Sequence, residues 1–207
     1  MRNTPAIVHA AVLVGLAAVY SAAGKLGLSY YALQNVSVSP VWPPTGIALA
    51  ALLVLGLRVW PAIFVGAFLV NFTTTGHLSS SVAIAVGNTV EGVVGALLVH
   101  RFAGGRRAFE RPQDVFKYVL LAGLAATLVS PTIGVTSLRL AGRMQWPEYG
   151  GNWLTWWLGD VGGALLLAPP LVLWSSRPVI TRPREALALL AAALLVGMLV
   201  FTNPLPL

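Results

Sequence analysis

Residues 152–171 read NWLTWWLGDVGGALLLAPPL. As a helix, a stretch of this length covers ~30 Å, the hydrocarbon thickness of a bilayer, yet it encloses a carboxylate, Asp160. Helical spacing puts Trp153, Trp156, Trp157, Asp160, Gly163, Ala164 and Leu167 on one face. Gly159 and Gly163 form a small-xxx-small pair that lets a second helix approach closely. Asp160 lies about seven residues, or ~10 Å, inside the outer end of this helix. A charge at such depth costs at least ~2.5 kcal/mol without a partner or a wet cavity, so this face turns toward protein. The tryptophans by themselves fit an interfacial belt as well as a binding site.

The rest of the chain has the same character. Of 207 residues 57% are hydrophobic and 9% charged, against roughly 25% charged in an ordinary soluble domain. Water-soluble folds are thereby excluded, and the expected class is an all-α polytopic transmembrane helix bundle forming a single domain over 1–207. Apolar segments fall at 5–24, 40–57, 59–76, 82–100, 115–135, 153–175 and 186–203, giving about seven crossings. The first resembles a signal peptide, but its length favours an uncleaved helix. Pro43 and Pro44 open the second, where a first turn tolerates their missing donors. The short link at Arg58 predicts that the second and third helices form a tight antiparallel hairpin.

The net charge of +7 lies in the links between apolar runs, which is the pattern of topogenic charge rather than of nucleic-acid binding. With the N-terminus in the cytoplasm, Arg2, Arg58, Arg101, Arg106, Arg107, Arg111, Lys117, Arg177, Arg182 and Arg184 are inside, while Lys25, Arg139 and Arg143 are outside. This asymmetry predicts a multi-pass inner-membrane protein with a cytoplasmic N-terminus. Seven crossings then leave the C-terminus outside. A module passing signals to a cytoplasmic C-terminal domain needs one more span, so the chain reads as a fragment or a degenerate member of its kind. Its ending, FTNPLPL, contains no output domain.

Further polar residues sit at membrane depth. On the fourth helix Asn88, Glu91, Gly92, Gly95 and Ala96 share a face, with Glu91 near mid-bilayer; a purely structural hydrogen bond and a functional role are equally open to it. Asn71, Asn88 and Asp160 lie about five, six and seven residues from the outer ends of their helices. They can therefore occupy one layer, and with Pro43, Pro44, Thr45 and Gly46 they predict a small pocket open to the outside. Trp156 and Trp157 complete the candidate ligand or switch set; Gly92, Gly95, Gly159 and Gly163 are the candidate packing positions. No nucleophile has an adjacent base, Ser130 beside Pro131 reads as packing or a kink, and no enzyme is expected. Cysteine is absent, His9, His77 and His100 form no ligand-spacing motif, and neither metal nor cofactor is expected.

The runs SPVWPPTGIALAALLVLGLRVWPAIFVGAFLVNF, GNTVEGVVGALLVHRF and NWLTWWLGDVGGALLLAPPLVLW resemble the type-one membrane-associated sensor (MASE) domain of bacteria. The resemblance rests on Pro43, Pro44, Thr45, Gly46, Gly56, Trp60, Pro61, Gly66, Asn71, Asn88, Glu91, Trp157, Gly159, Asp160, Gly163 and Pro169 together, over residues 38–175. It implies an inner-membrane sensory module attached in longer relatives to histidine kinases, as in two-component systems, or to diguanylate cyclases. The family pattern commonly has about eight spans, one more than the seven read here. The expected partners are the lipid bilayer, such an output domain, an unidentified small ligand and a homodimer mate. The competing classes are a small proton-coupled transporter or channel, with its intramembrane carboxylates, and a membrane anchor or dimerisation scaffold that binds nothing.

Overall fold

The computed structural model of the chain describes residues 6–32 and 41–176. Among them the secondary structure is helical and contains no strand. The helices are α1 (Ala6–Ala32), α2 (Pro43–Leu55), α3 (Trp60–Thr75), α4 (Leu78–Phe102), α5 (Pro112–Tyr118), α6 (Val129–Leu140), α7 (Trp146–Leu166) and α8 (Ala168–Ser176). Five rods are long and apolar enough to cross a membrane: Ala6–Leu28, Leu57–Thr75, Leu78–Phe102, Pro112–Leu140 and Trp146–Ser175. The expected crossing at 186–203 lies outside the described residues, as do Arg2, Arg177, Arg182 and Arg184.

The short helix is the central one. At 13 residues α2 is ~20 Å long, less than a bilayer core. It is buried on nearly every side, Thr45, Gly46 and the run Ala48–Leu53 included, between α1, α4 and α7. An apolar helix with no wet face is stable only when other helices satisfy that whole surface. Enclosure by the longer helices therefore frees α2 from the length requirement of a spanning rod.

The expected hairpin of the second and third helices is not what forms. After Gly56, at φ 88°, a 3₁₀ turn over Leu57–Val59 leads into α3, and α3 then packs chiefly against α1 and α4 rather than α2. Small residues explain the choice: Gly66 of α3 offers no side chain where the Tyr20 ring of α1 rests, and the Ser21 hydroxyl donates to the Gly66 carbonyl at 3.2 Å. Gly24 of α1 in turn accommodates Val70 of α3. These glycines dock α3 on α1, leaving α2 to pack elsewhere.

The rod Pro112–Leu140 changes its winding midway. Seven residues, Val119–Ala125, run as a π-helix and the next three, Ala126–Leu128, as a 3₁₀ turn. Such transitions displace carbonyls from their usual partners, and inserted side chains commonly satisfy them. The Thr127 hydroxyl lies 2.8 Å from the Gly123 carbonyl, and the Trp157 indole donates to Leu124 O and Thr127 Oγ1 at 3.3 and 3.1 Å. A second break, at Leu167 between α7 and α8, precedes Pro169 and Pro170. There the Tyr118 hydroxyl donates to Ala164 O at 2.6 Å, so the two irregular rods stabilise one another.

Candidate functional site

The polar residues separate into two layers. The deeper one begins where α2 meets α7. Trp42 N–H donates to the Gly159 carbonyl at 2.8 Å, a backbone bond between the residue before α2 and the middle of α7. A methyl group on Gly163 would overlap the Trp42 carbonyl, and one on Gly46 would overlap the Gly163 carbonyl. Glycine at both positions lets the two backbones touch, which brings the first turn of α2 beside Asp160.

Asp160 is 0% exposed and Glu91 3%. Thr45 Oγ1 donates to Asp160 Oδ1 at 2.6 Å. On the opposite side, the backbone N–H of Ser130 donates to Glu91 Oε2 at 3.2 Å. That N–H belongs to the first turn of α6, just after the winding change, where a donor can leave its own helix. The two carboxyls interact through space, and Ser130, Trp156 and the Tyr20 hydroxyl adjoin them. Asp160 Oδ2 and Ser130 Oγ are buried without a hydrogen-bond partner. No lysine, arginine or histidine is found among these neighbours.

Above this nest lies a cavity of about 410 Å³, lined by Asn71, Asn88, Trp42, Trp156, Arg143 and Glu148 among others. Asn71 and Asn88 each donate through Nδ2 to the carbonyl four residues earlier, at 2.8 and 2.9 Å. Because those partners are acceptors, the amide orientation is fixed and Oδ1 is left to accept from elsewhere. Asn88 Oδ1 is buried and has no partner. The Arg143 guanidinium meets His77 Nδ1 at 2.8 Å, and Lys25 Nζ meets Thr74 Oγ1 at 2.8 Å, joining the loops and helix ends at this end of the bundle.

The residues singled out from the sequence thus have distinct places. Asn71, Asn88 and Trp156 line the cavity; Asp160, Glu91 and Thr45 lie in the nest; Pro43 and Pro44 form the first turn of α2. Trp157 is turned toward the irregular part of the neighbouring rod, as described above. Gly92 meets Leu52 and Ala48 of α2, and Gly95 meets Leu49 of α2 and Ala126. Sequence spacing missed Tyr20, Trp42 and the backbone of Ser130. Tyr20 is an aromatic hydroxyl within a helix of small apolar residues, which was the one signal available for it.

These layers lie within the part of the chain that family comparison covers. The MASE1 family model matches residues 11–205. The chain belongs to the MASE1 family. MASE1 domains are membrane-associated sensor domains, and the matched region includes both carboxyls, the cavity, four membrane-length rods whole and the fifth from residue 11 onward. The match extends well beyond the 38–175 region in which the resemblance was read. No curated protein and no solved structure matches the chain.

Proposed function

We propose that this MASE1 domain is the input module of a bacterial inner-membrane signalling protein, that it is not an enzyme, and that a small ligand binds in the cavity above Asp160 and Glu91. The observation that carries the reading is the cavity of about 410 Å³ lined by Asn71 and Asn88, Asn88 being an amide only 5% exposed whose Oδ1 has no hydrogen-bond partner among the described residues. A ligand donor bonded to Asn88 and Asn71 would pull α3 and α4 together. The glycine contacts of α4 with α2 then carry the displacement toward the opposite end of the bundle, where a histidine kinase or diguanylate cyclase is the output. A ligand shifts this balance only through unequal affinity for the two packings.

Below the nest the interior is filled by Leu49, Leu52, Leu53, Ala96 and Val99, all buried. That apolar plug favours sensing over conduction. The test is a fusion of the chain, through one added crossing, to a cytoplasmic reporter kinase. Asn88→Ala and Asn71→Ala are expected to lower stimulus-dependent output at least ~10-fold at unchanged membrane abundance, the loss of one buried ligand hydrogen bond being worth ~1.5 kcal/mol. Unchanged output in both variants would leave anchoring or dimerisation as the role of the domain.

The orientation belongs to the same proposal: seven crossings, the N-terminus in the cytoplasm and the cavity facing outward. Lys25, His77 and Arg143 share the cavity end through their contacts. Ser79, in the first turn of α4, and Arg106, in the link after its last turn, are both exposed, and the chain has no cysteine. Ser79→Cys is expected to react with an impermeant maleimide on intact spheroplasts, and Arg106→Cys only after lysis. The reverse pattern would invert the topology and close the cavity to the outside.

A further inference from the structure

We propose that Thr45, Glu91, Ser130 and Asp160 form a binding site for a sodium ion. Four helices, α2, α4, α6 and α7, converge there, and among the described residues the atoms able to ligate a cation are the oxygens of two carboxyls and two hydroxyls, the neighbouring Trp156 indole being a hydrogen-bond donor only. Oxygen-only ligands select hard cations, and the absence of nitrogen or sulfur donors sets aside the transition metals. Both carboxyls are buried and no basic side chain among the described residues compensates them, so a bound cation or a proton would supply the missing positive charge. Each carboxyl already has one oxygen held by a protein donor, Thr45 for Asp160 and the Ser130 N–H for Glu91.

The second observation concerns the Ser130 hydroxyl. Ser130 Oγ, 1% exposed, has no hydrogen-bond partner although it adjoins Asp160, whose Oδ2 is also without one. Neither atom is engaged in hydrogen-bond geometry, and a carboxylate oxygen and a hydroxyl oxygen can each turn a lone pair toward a cation. Trp42 bonds to Gly159 next to Asp160, Trp156 adjoins Asp160, and both line the cavity, which makes the cavity the proposed route of entry. A divalent ion fits less well: magnesium sheds its waters reluctantly, and calcium takes six to eight oxygens. One sodium ion and one proton would neutralise the two carboxyls.

Protons compete for the same oxygens. The titratable groups facing the site are Tyr20 from α1, Glu91 from α4 and Asp160 from α7, while α2 and α6 contribute the hydroxyls of Thr45 and Ser130. The site is independent of the ligand assigned to the cavity, and its test reads stability rather than signalling. The intact chain in detergent is melted in sodium, potassium or N-methylglucamine chloride at equal ionic strength, with calcium and magnesium as further arms. Sodium at about 100 mM is expected to raise the melting temperature by about 3–8 °C near pH 8 and by less near pH 5.5. Asp160→Asn and Glu91→Gln should abolish the sodium dependence and Ser130→Ala should weaken it. Asn88→Ala, which alters only the cavity layer, should retain it. Equal melting in all monovalent salts would overturn the site, as would a response to divalent ions alone or a sodium response that survives Asp160→Asn and Glu91→Gln. Stabilisation by acid without any sodium effect would make the nest a proton site.

Discussion

Gly163→Ala is expected to prevent assembly of the bundle, although it adds one methyl group to a helix. Alanine is the better helix former by ~1 kcal/mol, so local propensity predicts a gain. The contact across the interface decides otherwise. A Cβ at Gly163 would overlap the Trp42 carbonyl, whose residue is held from the other side by its N–H bond to Gly159. Backbone, unlike the end of a side chain, has little room to yield, and α2 is enclosed by α1, α4 and α7. Overpacking commonly costs ~1–3 kcal/mol, and displacing α2 would also separate Thr45 from Asp160. Folded yield and melting temperature after detergent extraction provide the measurement. Gly151→Ala is the control: nothing lies within 4 Å of the added carbon, so that variant should melt at the wild-type temperature or above it. Wild-type behaviour of Gly163→Ala would mean that α2 and α7 are not held in backbone contact.

This contact also shows what was legible in the sequence. Periodicity put Asp160, Gly163 and the tryptophans on one face, and the cost of a buried charge required that face to meet protein. Both inferences need only the local chain. The identity of the opposing segment depends on packing more than a hundred residues away, and no local pattern indicates that Trp42 and Gly46 fill the space left by Gly163. The hairpin failed for a related reason. A short link limits how far apart two helix ends can lie, but the glycine-lined contact between α1 and α3 decides which faces meet. The change of winding at Val119–Ala125 left little trace either, because its stabilising donors come from Thr127 and from Trp157 on another rod. Equal depths placed Asn71, Asn88 and Asp160 in one layer. Counting along separate helices cannot register the tilt and packing that put both asparagines in the cavity and the acid below it.

Asp160→Asn is expected to fold at least as well as the wild type in sodium-free buffer, yet to lose stimulus-dependent output from the reporter fusion. The first half follows from charge. Asp160 and Glu91 are buried like-signed groups without a basic neighbour among the described residues, so removing one ionisable group relieves an electrostatic cost. Asparagine keeps the shape, and its carbonyl can still accept from Thr45. Its amide nitrogen takes the place of Oδ2 and adds a donor facing the unpartnered Ser130 hydroxyl. Asp160→Ala should behave differently, because it leaves Thr45 without its acceptor and opens a void, together costing about 1–3 kcal/mol or more. The second half follows from the proposed function: a permanently neutral, well-bonded amide holds α7 against α2 and damps the displacement that a ligand in the cavity starts. Melting curves and reporter output measured on the same membranes separate the two effects. Normal output from a stable Asp160→Asn protein would make the acid a packing group. Output lost while stability is kept would place the switch at the junction of α2 and α7, where two backbones touch and a small displacement must move whole helices.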